Sequence, residues 1–79
     1  MQRRILIAED NLEISDTMRN YLIRAGYVVS QAFDGGDAIE QARRLSPDLI
    51  LLDIMMPVAD GYEVCESIRR DMNIPIIVV

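Results

Sequence analysis

The stretch "DLILLDIMMP" occupies residues 48–57. Its apolar run, Leu49–Leu52, is too short for a helix and lies between an aspartate and Asp53. Such a run, entered from Ser46-Pro47-Asp48 and left through methionines and Pro57, predicts a buried strand over residues 49–53. A strand this apolar fits a sheet covered on both faces. The acid at its carboxyl end requires a separate explanation, and the neighbouring elements supply one.

Upstream, residues 37–45 predict a helix with Ala38, Ile39, Ala42 and Leu45 turned inward, preceded by an Asp-Gly-Gly turn at 34–36. Residues 27–32, "YVVSQA", predict a strand with a weaker, edge-like pattern. Gly26 closes the preceding helix as a left-handed cap. That helix spans residues 12–25, with Ile14, Met18, Tyr21, Leu22 and Ala25 on one stripe. "RILIA", residues 4–8, predicts another buried strand. Downstream, "MPVADG" predicts a loop, residues 61–70 a helix carrying Val64, Cys65 and Ile68, "NIP" a turn, and "IIVV" at 76–79 a fourth strand.

The order β-α-β-α-β-α-β makes each helix a crossover between parallel strands. The expected fold is therefore α/β, an open parallel sheet with helices on both faces. Ligands of such sheets bind at the carboxyl ends of the strands, near the switch in strand order.

Composition narrows the function. The chain has 79 residues, 51% of them hydrophobic and 27% charged, which is the composition of one small folded unit. The net charge of −5 disfavours nucleic acid as a direct partner. The arginine pairs Arg43/Arg44 and Arg69/Arg70 fall in the last turns of expected helices, where they complement the dipole. The chain contains no histidine, which removes imidazole catalysis and imidazole metal ligands. The single cysteine, Cys65, excludes an internal disulfide, fits a reducing cytoplasm and reads as a buried, inert thiol. The apolar part of "MQRRILIAED" is far too short for a secretory signal, and no stretch is long enough to span a membrane.

The first strand runs into "AEDN", with Glu9, Asp10 and Asn11, and the third into Asp53. If these strands are neighbours, Glu9, Asp10 and Asp53 converge. Three carboxylates repel one another and need a counter-charge. The chain has no lysine, so a hard divalent cation with oxygen ligands is the natural answer, and Mg2+ fits best. Two plainer roles compete: Asp10 or Asn11 as a helix cap, and Asp53 as the start of a turn.

These residues carry a resemblance. "RILIAEDN", "AGYVVSQAFDGGDAI" and above all "PDLILLDIMMPVADGYEVCESIR" resemble the receiver domain of two-component response regulators, with its CheY-like, flavodoxin-like fold. The aspartate followed by Met56-Pro57 and then Asp60-Gly61 is specific in combination. The resemblance implies that Asp53 is the phosphoacceptor, taking a phosphoryl group from a sensor histidine kinase. It implies Asp10 as a direct Mg2+ ligand, Glu9 as a metal support through water, and the Met55 carbonyl as a further ligand. Pro57 and Gly61 would shape the loop. The module itself would not be an enzyme and would work in the cytoplasm. A competing aspartate-nucleophile phosphohydrolase usually carries a second aspartate two residues after the nucleophile, where this chain has Met55.

The family's switch serine or threonine and its lysine follow the fourth strand, beyond Val79. The expectation is therefore a truncated receiver domain over residues 1–79, without helix 4, strand 5 and helix 5. Such a chain would expose the strand Ile76, Ile77, Val78 and Val79, together with a flank of the first helix. It would self-associate there. The alternative function is accordingly a fragment that assembles as an oligomer and does not signal.

Overall fold

A computed structural model describes residues 2–53 and 61–79 of the chain. Its elements run β1 (Arg4–Ala8), α1 (Leu12–Arg24), β2 (Val28–Ala32), α2 (Gly35–Leu45), β3 (Leu49–Leu52), α3 (Gly61–Asp71) and β4 (Ile76–Val78). All strand pairs are parallel, and the spatial order is β2-β1-β3-β4. The chain steps outward from β1 to β2, then crosses back over β1 to β3. The switch in direction lies between β1 and β3.

The apolar strands pack as their composition demands. Leu6, Ala8, Ile50 and Leu52 are fully buried and join Ala32, Ala38, Ala42, Val64 and Ile68 in one core. Ala38 and Ala42 let α2 approach the sheet closely, while Val64 and Ile68 turn one face of α3 inward. At their far ends these two helices are joined by the ion pair of Arg43 with Asp71, 2.6 Å. Arg43, Arg44, Arg69 and Arg70 do stand in the last turns of α2 and α3.

The helix ends show where local chemistry acts. Asn11 is the N-cap of α1, its Oδ1 accepting from the Ile14 amide at 3.0 Å. Gly26, at φ 96°, follows the Ala25 C-cap in the left-handed region that glycine enters without steric cost. Asp34 caps α2 by accepting from the Asp37 amide at 2.8 Å. That cap makes Gly35 and Gly36 helical, so α2 begins two residues before the expected position and the Asp-Gly-Gly turn is its first turn.

Other expectations shift. β2 starts at Val28 because the Tyr27 amide still bonds back to the Leu22 carbonyl. The stripe expected on α1 is helical but rotated. Ser15 is buried, with Met18, Arg19 and Leu22 half-buried beside it, whereas Ile14, Tyr21 and Ala25 are exposed. The sheet covers only one side of a broad apolar band. Cys65 is half-buried against the core rather than enclosed. The expected "MPVADG" loop lies almost wholly outside the described residues.

Candidate functional site

The site begins with strand register. Ala8 of β1 sits opposite Ala32 of β2 and Leu52 of β3. The next residues therefore emerge side by side at the carboxyl edge. The Glu9 amide donates to the Ala32 carbonyl at 3.0 Å, and the Asp53 amide to the Ala8 carbonyl at 2.9 Å. These backbone bonds hold both acids at the ladder's last rung, at the switch between β1 and β3.

Carboxylate oxygens of Glu9, Asp10 and Asp53 lie within 4.8 Å of one another. The three differ in environment: Glu9 is buried, Asp10 exposed and Asp53 half-buried. Burial pushes the Glu9 carboxyl above its ordinary range, and hydrogen bonds and charge from Asp53, with a hydrogen bond to Asp10, push it further. The Asn11 amide, 3.1 Å from Glu9 Oε2, opposes the rise. Asn11 thus has two roles. Its side chain caps α1, and its amide holds the buried acid. The capping role therefore belongs to Asn11, which leaves the Asp10 carboxylate to the cluster.

This donor set fits a hard cation. Crowded carboxylates, one of them protonated more readily than usual, are relieved when a divalent ion takes up the shared charge. The charge layout agrees. Arg3 precedes β1 and Arg4 begins it, Arg24 ends α1, and the pairs Arg43/Arg44 and Arg69/Arg70 stand in the last turns of α2 and α3, all at the opposite edge of the sheet from the acids.

Of the remaining residues singled out in the sequence, Gly61 is the first of α3. Met55 and Pro57 lie outside the described residues. Sequence reasoning missed Gln31, which bonds across β2 to α1. A polar residue in an edge-like strand was the available signal.

Comparison with known proteins agrees with this arrangement. The family described as response regulator receiver domain matches residues 5–79. Among solved structures, the N-terminal domain of a response regulator receiver protein from Methanoculleus marisnigri JR1 is 37% identical. Its alignment covers 99% of this chain and 66% of that one, with a TM-score of 0.93. The BeF3-activated N-terminal receiver domain of RstA from Klebsiella pneumoniae is 35% identical over 95% of this chain and 64% of that one, with a TM-score of 0.91. The N-terminal domain of a response regulator/sensory box/GGDEF 3-domain protein from Carboxydothermus hydrogenoformans is 33% identical over 96% and 62%, with a TM-score of 0.90. The chain thus spans less than two thirds of the length of the structures it matches. Among the described residues, no helix is long and apolar enough to cross a membrane. A family match over nearly the whole chain, on a sheet whose switch point gathers its acids, means that the chain belongs to the response regulator receiver domain family of two-component signalling.

Proposed function

We propose that this chain is a phosphoacceptor module in which Asp53 takes a phosphoryl group from the phosphohistidine of a sensor histidine kinase. The observation that carries the reading is the convergence of Glu9, Asp10 and Asp53 at the carboxyl edge between β1 and β3. A carboxylate oxygen of Asp53 attacks phosphorus in line. The new O–P bond forms as the P–N bond breaks, and the electron pair returns to the imidazole nitrogen, which is then protonated. The backbone bond from the Asp53 amide to the Ala8 carbonyl limits the directions this carboxylate can take. Asp10, Asp53 and the Met55 carbonyl would hold Mg2+ directly and Glu9 through water, with Pro57 and Gly61 shaping the loop. Bound Mg2+ supplies charge neutralisation on the phosphoryl oxygens. One structural neighbour is BeF3-activated, and a beryllium fluoride that mimics a phosphoryl group on a carboxylate suits the same chemistry.

The test is incubation with a small-molecule phosphodonor and Mg2+, followed by intact-mass measurement. One added phosphoryl group, absent from Asp53→Ala and from EDTA-treated samples, supports the reading. An unchanged mass in the wild type refutes it.

A second reading, self-association without signalling, draws on a different observation. Ile77, Val78 and Val79 are 50%, 46% and 62% exposed at the β4 edge, and Ile14, Tyr21 and Ile23 are exposed on α1. Light scattering that gives a monomer mass at high concentration, with full native circular dichroism, would remove this reading.

A further inference from the structure

We propose that Gln31 is a positioning residue for the acid site. It sets α1, and through it the Glu9-Asp10-Asn11 segment, in the arrangement a cation requires. The proposal rests on the metal reading given above.

Gln31 lies on the edge strand β2, and its side-chain amide donates to two acceptors on α1: Ser15 Oγ at 2.9 Å and Asp16 Oδ1 at 2.9 Å. Both N–H bonds of the amide are thereby used. Ser15 is fully buried, and its backbone amide donates to the Asn11 carbonyl at 2.9 Å. Asn11 in turn donates its own amide to Glu9 Oε2 at 3.1 Å. A continuous set of hydrogen bonds therefore runs from Gln31 through the first turn of α1 to the buried acid. The residue after Gln31, Ala32, accepts the Glu9 amide directly. The backbone carbonyl of Gln31 is also engaged, accepting from Gln41 Nε2 of α2 at 2.8 Å, and Gln41 is held by Asp37 at 3.0 Å. One residue thus ties α1 and α2 to the sheet beside the site.

This contact has consequences because hydrophobic packing holds the start of α1 only weakly. Leu12 and Ile14 are 61% and 49% exposed, and the one fully buried residue of α1 is the polar Ser15, with Met18, Arg19 and Leu22 only half-buried on the same face. An apolar helix face would slide with little penalty, whereas two hydrogen bonds from one planar amide define a register. Mg2+ demands near-ideal octahedral geometry, so small displacements of its ligands are felt. Residues that hydrogen-bond a metal ligand directly typically alter affinity 10–100-fold when lost, so a residue acting through Ser15 and Asn11 is expected at the lower end of that range.

The experiment is calorimetric titration of the full chain with MgCl2, alongside thermal unfolding in EDTA. Gln31→Leu, which keeps the shape and removes both donors, is expected to weaken Mg2+ binding about tenfold. Gln31→Glu alone sets a carboxylate against Asp16 and is expected to weaken binding as well. The pair Gln31→Glu/Asp16→Asn reverses the polarity of the bond at unchanged net charge and is expected to restore affinity to near the wild-type value. If the wild type binds Mg2+ and Gln31→Leu binds it equally well, the positioning role is overturned and the metal reading stands. A wild type that takes up no Mg2+ overturns both. Should Gln31→Leu fail to fold, the reversed pair decides, because failure to recover the affinity lost in Gln31→Glu overturns the proposal. A purely structural role would lower the unfolding midpoint and leave the Mg2+ dissociation constant unchanged.

Discussion

Asp53→Asn should make the metal-free protein more stable and the Mg2+-loaded protein less stable than wild type. The substitution keeps the shape of the side chain and removes one of three negative charges whose oxygens lie within 4.8 Å. At that separation and an effective dielectric near ~20, a pair of charges repels by about 3.5 kcal/mol. Water around exposed Asp10 and proton uptake by Glu9 relieve much of this, leaving a gain of roughly 1 kcal/mol for the variant in EDTA. For a chain of this size, that corresponds to a midpoint about 4–8 °C higher. Mg2+ should invert the order. At a hundredfold excess over its dissociation constant, a native-state ligand stabilises by about 2.7 kcal/mol. A neutral amide at position 53 should capture less than roughly 1 kcal/mol of that. Urea unfolding followed by circular dichroism, with EDTA and with Mg2+, measures both arms. Equal or lower stability of Asp53→Asn in EDTA would refute the repulsion argument. Equal Mg2+ stabilisation of both proteins would remove Asp53 from the metal set.

Glu9 carries a pH dependence. Its folded carboxyl titrates above the ordinary value of 4.5, so its contribution to stability is fully present below that value and is lost as pH rises through the folded pKa. In EDTA, Glu9→Gln should flatten this fall, which urea midpoints across acid to neutral pH would record. Ile68→Ala empties a fully buried position against the sheet and should cost about 2–5 kcal/mol, much of a small domain's stability, as measured by chemical denaturation. Arg43→Ala breaks the 2.6 Å pair with Asp71, whose side chains are 54% and 38% exposed, and should cost no more than about 1 kcal/mol, with the difference shrinking in high salt.

Most of this architecture was legible in the sequence because its signals are local. Short apolar runs named the strands, Gly26 marked the end of α1, and the β-α alternation implied parallel pairing. The acids were legible as candidates because each ends a strand, and chain order alone implies a common edge. A shared cation was read from their crowding, whereas the individual ligand roles and the nucleophile came from family resemblance, and all of these stand as the proposal above. Cap chemistry was less legible. Asp-Gly-Gly reads equally as a turn or as a capped first turn, and only the Asp34 bond to the Asp37 amide distinguishes them. The face of α1 was misjudged for a related reason. Helical periodicity locates apolar residues, but their exposure depends on how much of that band another layer covers.

Composition and patterning were thus sufficient for the element types, the parallel α/β class and the set of acids, since backbone propensity and burial period act over a few residues. Strand order, register and the pairing of Asn11 with Glu9 required contacts between residues far apart in the fold or set by its turns. The order β2-β1-β3-β4 places Ala8 opposite both Ala32 and Leu52, and so makes neighbours of acids more than forty positions apart in sequence. The same folding brings Gln31 to α1. Such proximity has no local signature, because it depends on where the chain returns rather than on the residues it passes through.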